Sequence, residues 1–414
     1  DDRRLFSNPP KLNIIALQDS HDLGADQIWQ DLNLNQVWQK GSHVDLFGND
    51  QKDLSSPDND ARYALIQQLV EKFKEAKTFG SLICMDSPEQ DFIDLQNTLE
   101  DLVVEGDTLQ KAAAKKLLPL VIQAKLLAKQ YDAVIANPPY MGSKFYVPDL
   151  KKFIERNYKV AKGDLYTCFM ARGDYFARIG GLIGMITIPS WMFLSSYEDL
   201  RKWLFENNNL QTMSHNGRGV FGSDFGSCAF TFQKAPILNY KGAYKRLFEK
   251  QGSVASNEAL DEIFKLSKCF YTSVNDFKKI PSSPVAYWAS EKVREIFVNS
   301  KSIESLASPK QGSTIGDNER FLRRWTEVTY PFSTLWKHSL KGGDFRRWYG
   351  NISYVVNWGD NGNEIKSTGR STIRNSNYLF KKGIEWSRIS SAQSSFRLLN
   401  TGFFHESASG VAFP

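Results

Sequence analysis

The residues best equipped for chemistry lie between Asn137 and Tyr140, in the stretch YDAVIANPPYMG (Tyr131–Gly142). A short apolar run, Ala133 to Ala136, breaks into Asn-Pro-Pro-Tyr. Neither proline can donate to a sheet ladder and each fixes its own φ, so a strand ends at once and the corner is rigid. Asn137 offers an amide oxygen, the Pro138 carbonyl is a second acceptor held by Pro139, and Tyr140 adds a flat ring. Two acceptors and a ring suit a planar molecule that carries an amino group. Hydrogen bonds from both amino hydrogens draw that nitrogen toward sp³ geometry and free its lone pair for attack on an electrophile. A bare Asn-Pro-Pro is usually only a strand end and a turn; the whole tetrapeptide after a D-x-V-I-x strand is a much narrower pattern.

Such a corner works only if neighbouring elements hold it. Leu12–Ser20 (LNIIALQDS) reads as a buried strand, and 44–60 as a polar loop. Leu65, Ile66, Leu69, Val70 and Phe73 recur at helical spacing in Ala61–Phe73, and Leu117, Leu120, Val121, Ala124 and Leu127 do so within 107–130. Asp164 is placed to cap a helix carrying Leu165, Phe169 and Phe176. Gly180–Ser190 reads as a glycine turn and a buried strand, Glu198–Phe205 as a helix, and LQTMSHNG and CAFTFQK as two strands that are antiparallel because too little chain separates them for a helix. Strand and helix alternate, so an α/β fold with a mainly parallel sheet covered on both faces is expected. In open sheets of this kind ligands bind beyond the carboxyl ends of the strands, where Asn137–Tyr140 falls. A helix is expected near 257–267, and a domain boundary between about 285 and 310, where helical periodicity fades.

The 414 residues, 41% of them hydrophobic, suffice for two or three packed domains. No run approaches the length needed to span a bilayer. Cys84, Cys168, Cys228 and Cys269 lie far apart without a C-x-x-C, which suits reduced thiols in a cytoplasmic protein and neither a disulfide framework nor a zinc site. The net charge is +6. Residues 301–414 hold 16 Lys+Arg against 9 Asp+Glu, a balance of +7; the remaining 36 against 37 give −1. All the excess positive charge therefore sits in the last quarter, as in a polyanion-facing module joined to a neutral one.

DAVIANPPY resembles motif IV of the amino-methyltransferases that use S-adenosylmethionine. GDLYTCFMARGDYFARIGGLIGMITIPSWMFLSSYEDLRKWL and GVFGSDFGSCAFTFQK are similar to the motifs that follow it in the γ-type adenine-N6 DNA methyltransferases. QDSHDL, GSLI, VVEGD, NPPYMGSK, SWMFLSSYEDLRKWL and NDFKKIPSSPVAYWAS look like the PglX family, the methyltransferases of BREX phage-defence systems. The likeness covers most of residues 1–290. It continues through QGSTIGDNERFLRRW, which is similar to the entry into the target-recognition region of single-chain type IIG restriction-modification enzymes.

The resemblance implies a Rossmann-like S-adenosylmethionine-dependent methyltransferase fold, a seven-stranded mostly parallel sheet here lacking its first strands, in residues 1–285. A mixed α+β target-recognition segment begins at 286. It implies site-specific methylation of adenine N6 in duplex DNA, by base flipping, with S-adenosylmethionine as cofactor. Asn137, Pro138, Pro139 and Tyr140 would hold the extruded adenine, and Phe221 would stack on its other face; stacking at about 1–3 kcal/mol per base helps offset the cost of extrusion. Asp19, Asp164 and Phe169 would lie against the cofactor. Lys144, Arg320, Arg323, Arg324, Arg346 and Arg347 would contact DNA. The five tryptophans interleaved with the later arginines, Trp325, Trp336, Trp348, Trp358 and Trp386, are expected mostly in the core. No metal ligands and no nuclease signature are read.

Two other readings compete. One is a methyltransferase of the same chemistry acting on RNA or on protein glutamine. The other is a non-catalytic piece that binds DNA, other BREX proteins or a phage antagonist. The family's glycine-rich cofactor loop and its ribose-binding acid would precede Asp1, so the chain looks like an internal fragment that is inactive by itself. The 414-residue chain alone is therefore expected to bind S-adenosylmethionine weakly or not at all; micromolar affinity in a calorimetric titration would contradict this.

Overall fold

A computed structural model describes residues 12–35, 60–220, 225–249, 256–329, 334–389 and 393–414, without the Asn257 side chain. The 44–60 loop, apart from Asp60, and Phe221 lie outside the described residues. The chain divides into two compact units, Asp1–Arg294 and Glu295–Pro414.

The first unit has two cores. One is a helical cluster of α1 (Ala25–Leu32), α2 (Ala61–Lys72), α3 (Glu89–Glu105) and α4 (Thr108–Ala128). Asp60 caps α2 through the Arg62 amide, and Leu65, Ile66, Leu69 and Val70 are buried on one side, as the spacing requires. Asp107 and Gln110 form a reciprocal capping box at the start of α4. The sequence reading passed over α3, although Phe92, Leu95 and Leu99 recur on its buried face.

The second core lies on a sheet. Its strands are β1 (Tyr131–Ala136), β2 (Ala177–Thr187), β3 (Asn209–Gly217), β4 (Ser227–Gln233), β5 (Lys241–Arg246) and β6 (Cys269–Ser273), in the spatial order β1-β2-β4-β3-β5-β6. β1 pairs with β2, and β3 with β5, in parallel. β4 runs antiparallel to both β2 and β3, as its short connection demanded, and β6 is antiparallel to β5. The architecture is α/β as expected, with mixed pairing. α5 (Pro148–Asn157) and α6 (Leu165–Phe176) lie in the β1→β2 crossover, and α7 (Glu198–Asn207) in the β2→β3 crossover. Right-handed crossovers that step the same way along a sheet put their helices on the same face, and the core residues of α5, α6 and α7 form one cluster with those of the strands. Gly173 lets α6 reach β2: a Cβ there would sit 2.7 Å from Met185 Cε.

Coverage of both faces was expected, and here the structure differs. Ile135, Ile186, Thr212, Thr231 and Ala243 line an open cleft of about 740 Å³ on the opposite face, with Phe264 of α8 (Asn257–Leu266) at its margin. Ile135 is 86% exposed. Among the described residues no second layer of helices lies there, because both crossovers placed theirs on the other side.

The strand expected at Leu12–Ser20 does not form. The segment has no regular secondary structure, and Leu12 and Ile14 are exposed. Its polar end is instead held by side chains. The Gln18 amide donates to Gln123 Oε1 at 2.9 Å, Gln123 Nε2 returns to the Gln18 carbonyl at 3.0 Å, and Ser20 Oγ donates to Val70 O at 2.6 Å. A buried glutamine thus does the work of a neighbouring strand.

Arg172 ties the two cores together. It is fully buried on α6 and donates to the carbonyls of Ser81, Ile83 and Leu127 at 2.6, 2.7 and 3.0 Å, with its guanidinium 3.7 Å from the Phe176 ring centroid.

The second unit consists largely of strands, in two four-stranded sheets. One is ordered β13-β9-β10-β8 and the other β12-β11-β14-β7, where β7 is Ser308–Gln311, β8 Leu322–Arg324, β9 Trp336–Leu340, β10 Tyr354–Asn357, β11 Gly383–Ser387, β12 Phe396–Leu399, β13 Phe403–His405 and β14 Ser409–Phe413. Arg397 and Glu385 form a buried two-bond ion pair at 2.6 and 2.8 Å, and Ser395, Ser387 and Ser409 bond to the same groups. Most of the five tryptophans were expected in the core, and only Trp358 is buried there. Trp336 and Trp386 are half-buried, Trp325 is 49% exposed and Trp348 70% exposed. Trp348 adopts a left-handed φ of 70° beside β12, which turns its ring outward from a short edge.

His405 is buried with no hydrogen bond on either ring nitrogen, and burial pushes its pKa down to about 4. A folded-state value below the ordinary one gives stability that is present above pH 6.5 and lost as pH falls toward 4. His405→Phe should therefore lose less stability than the parent between pH 7 and pH 4, by about 2–3 kcal/mol, measured by denaturant unfolding across that range.

Candidate active site

Asn137 follows β1 directly, at the end of the sheet where β1, β2, β3 and β5 all finish. Asn137 and Tyr140 are exposed and Pro138 is buried. No described backbone amide donates to the Pro138 carbonyl, so this acceptor is free. Tyr140 leans back over the corner: its hydroxyl lies 3.4 Å from Asn137 Oδ1 and 3.3 Å from the Ile186 carbonyl. Its ring meets Tyr166 edge to face at 6.0 Å, and the Tyr166 hydroxyl pairs with Ser190 Oγ at 2.9 Å. Tyr166 and Ser190 were not singled out from sequence; the only available signal was their place in the motifs after the corner. Burial drives the Tyr166 phenol well above its usual range, so it stays a neutral donor.

The chain after the corner is laced to the start of α6. The Asp164 carboxylate accepts from the Met141 amide at 3.0 Å and from the Tyr166 amide at 3.3 Å. The Leu165 amide donates to the Met141 carbonyl at 2.9 Å, and the Ser143 amide to the Gly163 carbonyl at 3.1 Å. One carboxylate therefore caps the helix and fixes the far side of the Pro-Pro corner. Burial raises the Asp164 pKa, while the Tyr166, Met141 and Leu165 amides pull against that shift.

The structure does not bring all the expected residues together. Phe169 lies on α6, half-buried against the sheet core. Asp19 sits in the helical cluster, where it accepts from the Lys77 amide at 3.0 Å and pairs with the Lys77 ammonium at 3.2 Å; these bonds hold its carboxyl below the usual range. Lys144 follows the corner in an exposed turn, Ser143–Phe145.

In the second unit Arg320 pairs with Glu364. Arg323 donates to the Glu319 carbonyl at 2.6 Å, and Arg347 to Gln393 at 3.1 Å. Arg324 and Arg346 are exposed. The QGSTIGDN stretch threads the unit: Ser313 bridges to Glu406, Thr314 to Thr372, and Ile315 is buried. Among the described residues no three His, Cys, Asp or Glu side chains are grouped to hold a metal ion, and no helix is long and apolar enough to cross a membrane.

With this geometry in hand, comparison with known proteins is informative. Residues 37–221 match the family model of the Eco57I restriction-modification methylase. Over its whole length the chain is 36% identical to "Adenine-specific methyltransferase BrxX" of Escherichia coli O9:H4 (strain HS), covering 35% of that protein. The chain is a relative of the BREX-type adenine-specific methyltransferases. It is also 33% identical, over 84% of its length, to "Adenine-specific methyltransferase PglX" of Lacticaseibacillus casei (strain Zhang), and covers 31% of it. The resemblance read from the motifs is borne out. A looser likeness, with 12% identity and a TM-score of 0.45 over 68% of this chain and 40% of the other, relates it to the type IIL restriction-modification enzyme MmeI in complex with DNA. The chain spans about a third of the length of the curated relatives it matches.

Asp164→Ala should cost about 1–2 kcal/mol as a lost cap and speed hydrogen exchange at the Met141 and Tyr166 amides. Asp164→Asn, which keeps an acceptor oxygen, should do much less of both. Equal exchange in the two variants would show that the carboxylate does not hold the corner.

Proposed function

We propose that the chain carries the base-binding part of an adenine-N6 DNA methyltransferase together with the beginning of its target-recognition domain, acting in phage defence. The observation that carries this reading is the corner itself: a free Pro138 carbonyl and an Asn137 Oδ1 held only by a long 3.4 Å bond from the Tyr140 hydroxyl, beside an exposed aromatic ring at the carboxyl end of a strand. Kinship to adenine-specific methyltransferases supports it.

The chemistry follows from the geometry. An adenine in the corner donates its two N6 hydrogens to Asn137 and Pro138, and its ring lies against Tyr140. Binding it requires Tyr140 to give up only long hydrogen bonds. The amino nitrogen becomes pyramidal, and its lone pair points away from the two acceptors. S-adenosylmethionine supplies an activated methyl group when bound, so no strong base is needed and alignment carries most of the rate. Of the residues assigned to the cofactor, Asp164 and Phe169 are held on the helix fastened to the corner, whereas Asp19 is engaged by Lys77. We assign the cofactor side to Asp164 and Phe169 and give Asp19 a structural role. Phe221, beyond β3, remains assigned to the second face of the base. The surplus of basic residues after 300, with Lys144 beside the corner, suits a DNA backbone.

The decisive experiment is tritium transfer from labelled S-adenosylmethionine to duplex DNA by the complete protein. Transfer to adenine N6 should fall by a factor of at least about 10² in Asn137→Ala, with duplex binding retained. Full activity in Asn137→Ala would overturn the assignment of the corner.

A further inference from the structure

β5 ends at the same side of the sheet as Asn137, four strand spacings or about 19 Å away. A second group of side chains stands there. Phe193 lies 5.6 Å from Trp288, Trp288 lies 4.8 Å from Tyr287, and His215 lies 4.8 Å from Phe248. The Arg246 guanidinium sits between two of these rings, 4.8 Å from Phe248 and 5.5 Å from Trp288. Trp288 is 41% exposed.

Arg246 is underused. A guanidinium has five donors, yet the hydrogen bond it makes is a long one, 3.4 Å to the Glu249 carbonyl, and its Nε is buried without a partner. It pairs with no carboxylate among the described residues. The two rings hold its plane in place, so little conformational freedom is lost when an anion arrives. The surroundings are rigid too. Buried Arg201 donates to the Trp191, Leu194 and Ser282 carbonyls at 2.7, 2.8 and 2.7 Å, and the Val285 amide donates to the Met192 carbonyl at 2.9 Å. These bonds fasten the segment carrying Trp288 to the one carrying Phe193.

We propose that Arg246 and Trp288 form a DNA-backbone contact separate from the base-binding corner, in which Arg246 takes a phosphate and the exposed indole packs on the adjoining deoxyribose. The proposal rests on the reading of duplex DNA as substrate. About 19 Å corresponds to five or six nucleotides at 3.4 Å each, so the contact falls several steps from the extruded adenine. There it holds the duplex while one base leaves the stack. It carries no sequence information.

The test is duplex binding by the complete protein, measured by fluorescence anisotropy over a range of salt, with methyl transfer followed in parallel. Arg246→Gln should weaken binding about tenfold on every sequence and lower the salt slope by about one. Trp288→Ala should weaken binding several-fold, and Trp288→Phe should restore most of it; melting temperatures should be unchanged, since Arg246 and Trp288 lie outside the core. Parental affinity and slope in Arg246→Gln would overturn the contact, and would point to a protein partner for this surface instead. Asn137→Ala separates the two readings. If it still methylates adenine, the corner assignment fails while the salt slope still decides the fate of Arg246. Absence of duplex binding by the parent protein would overturn both.

Discussion

One carboxylate holds the candidate site together. Asp164 Oδ1 takes the Met141 amide from one side and the Tyr166 amide from the other. That shared acceptor joins the Leu165–Met141 and Ser143–Gly163 main-chain bonds in fastening the chain that leaves the two prolines to the first turn of α6. A prolyl corner is stiff in itself but does not choose its direction in space. Asp164 chooses it, and Tyr166 extends the choice by meeting both Tyr140 and Ser190. The result is a small polar frame with Asn137 and Tyr140 exposed and the Tyr166 phenol behind them buried and neutral.

The same logic of unbalanced donors recurs. Arg172 and Arg201 are buried arginines whose hydrogen bonds go to main-chain carbonyls and, for Arg172, to a cysteine sulfur, with no carboxylate among the described residues bonded to either. Burying such a charge is costly unless its donors are spent, and here they are spent on short connecting segments and on the last turn of α4. Arg172 binds the helical cluster to α6, and Arg201 binds the segment after β2 to the segment before residue 288. Arg246 departs from this pattern, with rings around it and donors left over. That contrast sets it apart from its structural counterparts.

The sheet is built asymmetrically. Two crossovers that step in the same direction place α5, α6 and α7 on one face, and the other keeps an open cleft beside Ile135. The second unit solves a different problem, with two small sheets, an internal Arg397–Glu385 pair and rings such as Trp325 and Trp348 left at the surface. Its basic surplus is a property of that surface, although individual arginines such as Arg320 are already paired.

The sequence by itself determined the local elements. Helical spacing marked α2 and α4, capping chemistry marked Asp164, and short connections made β4 antiparallel, because all three depend on neighbours within a few residues. The Pro-Pro corner was legible for the same reason: two fixed φ angles and two missing donors act locally. What only the tertiary structure decided is which distant groups meet. Leu12–Ser20 has a strand's composition, yet a strand needs a partner, and Gln123 from another helix satisfied its polar end instead. Asp19 meets Lys77, 58 residues along the chain, in a contact that no spacing rule gives. Trp325 and Trp348, expected inside, stand at the surface. The pairing of Asp164 with Met141, 23 residues apart, and of Arg246 with Trp288 could not be read from spacing, since such contacts are set by how whole elements pack, and packing depends on every side chain in the layer at once.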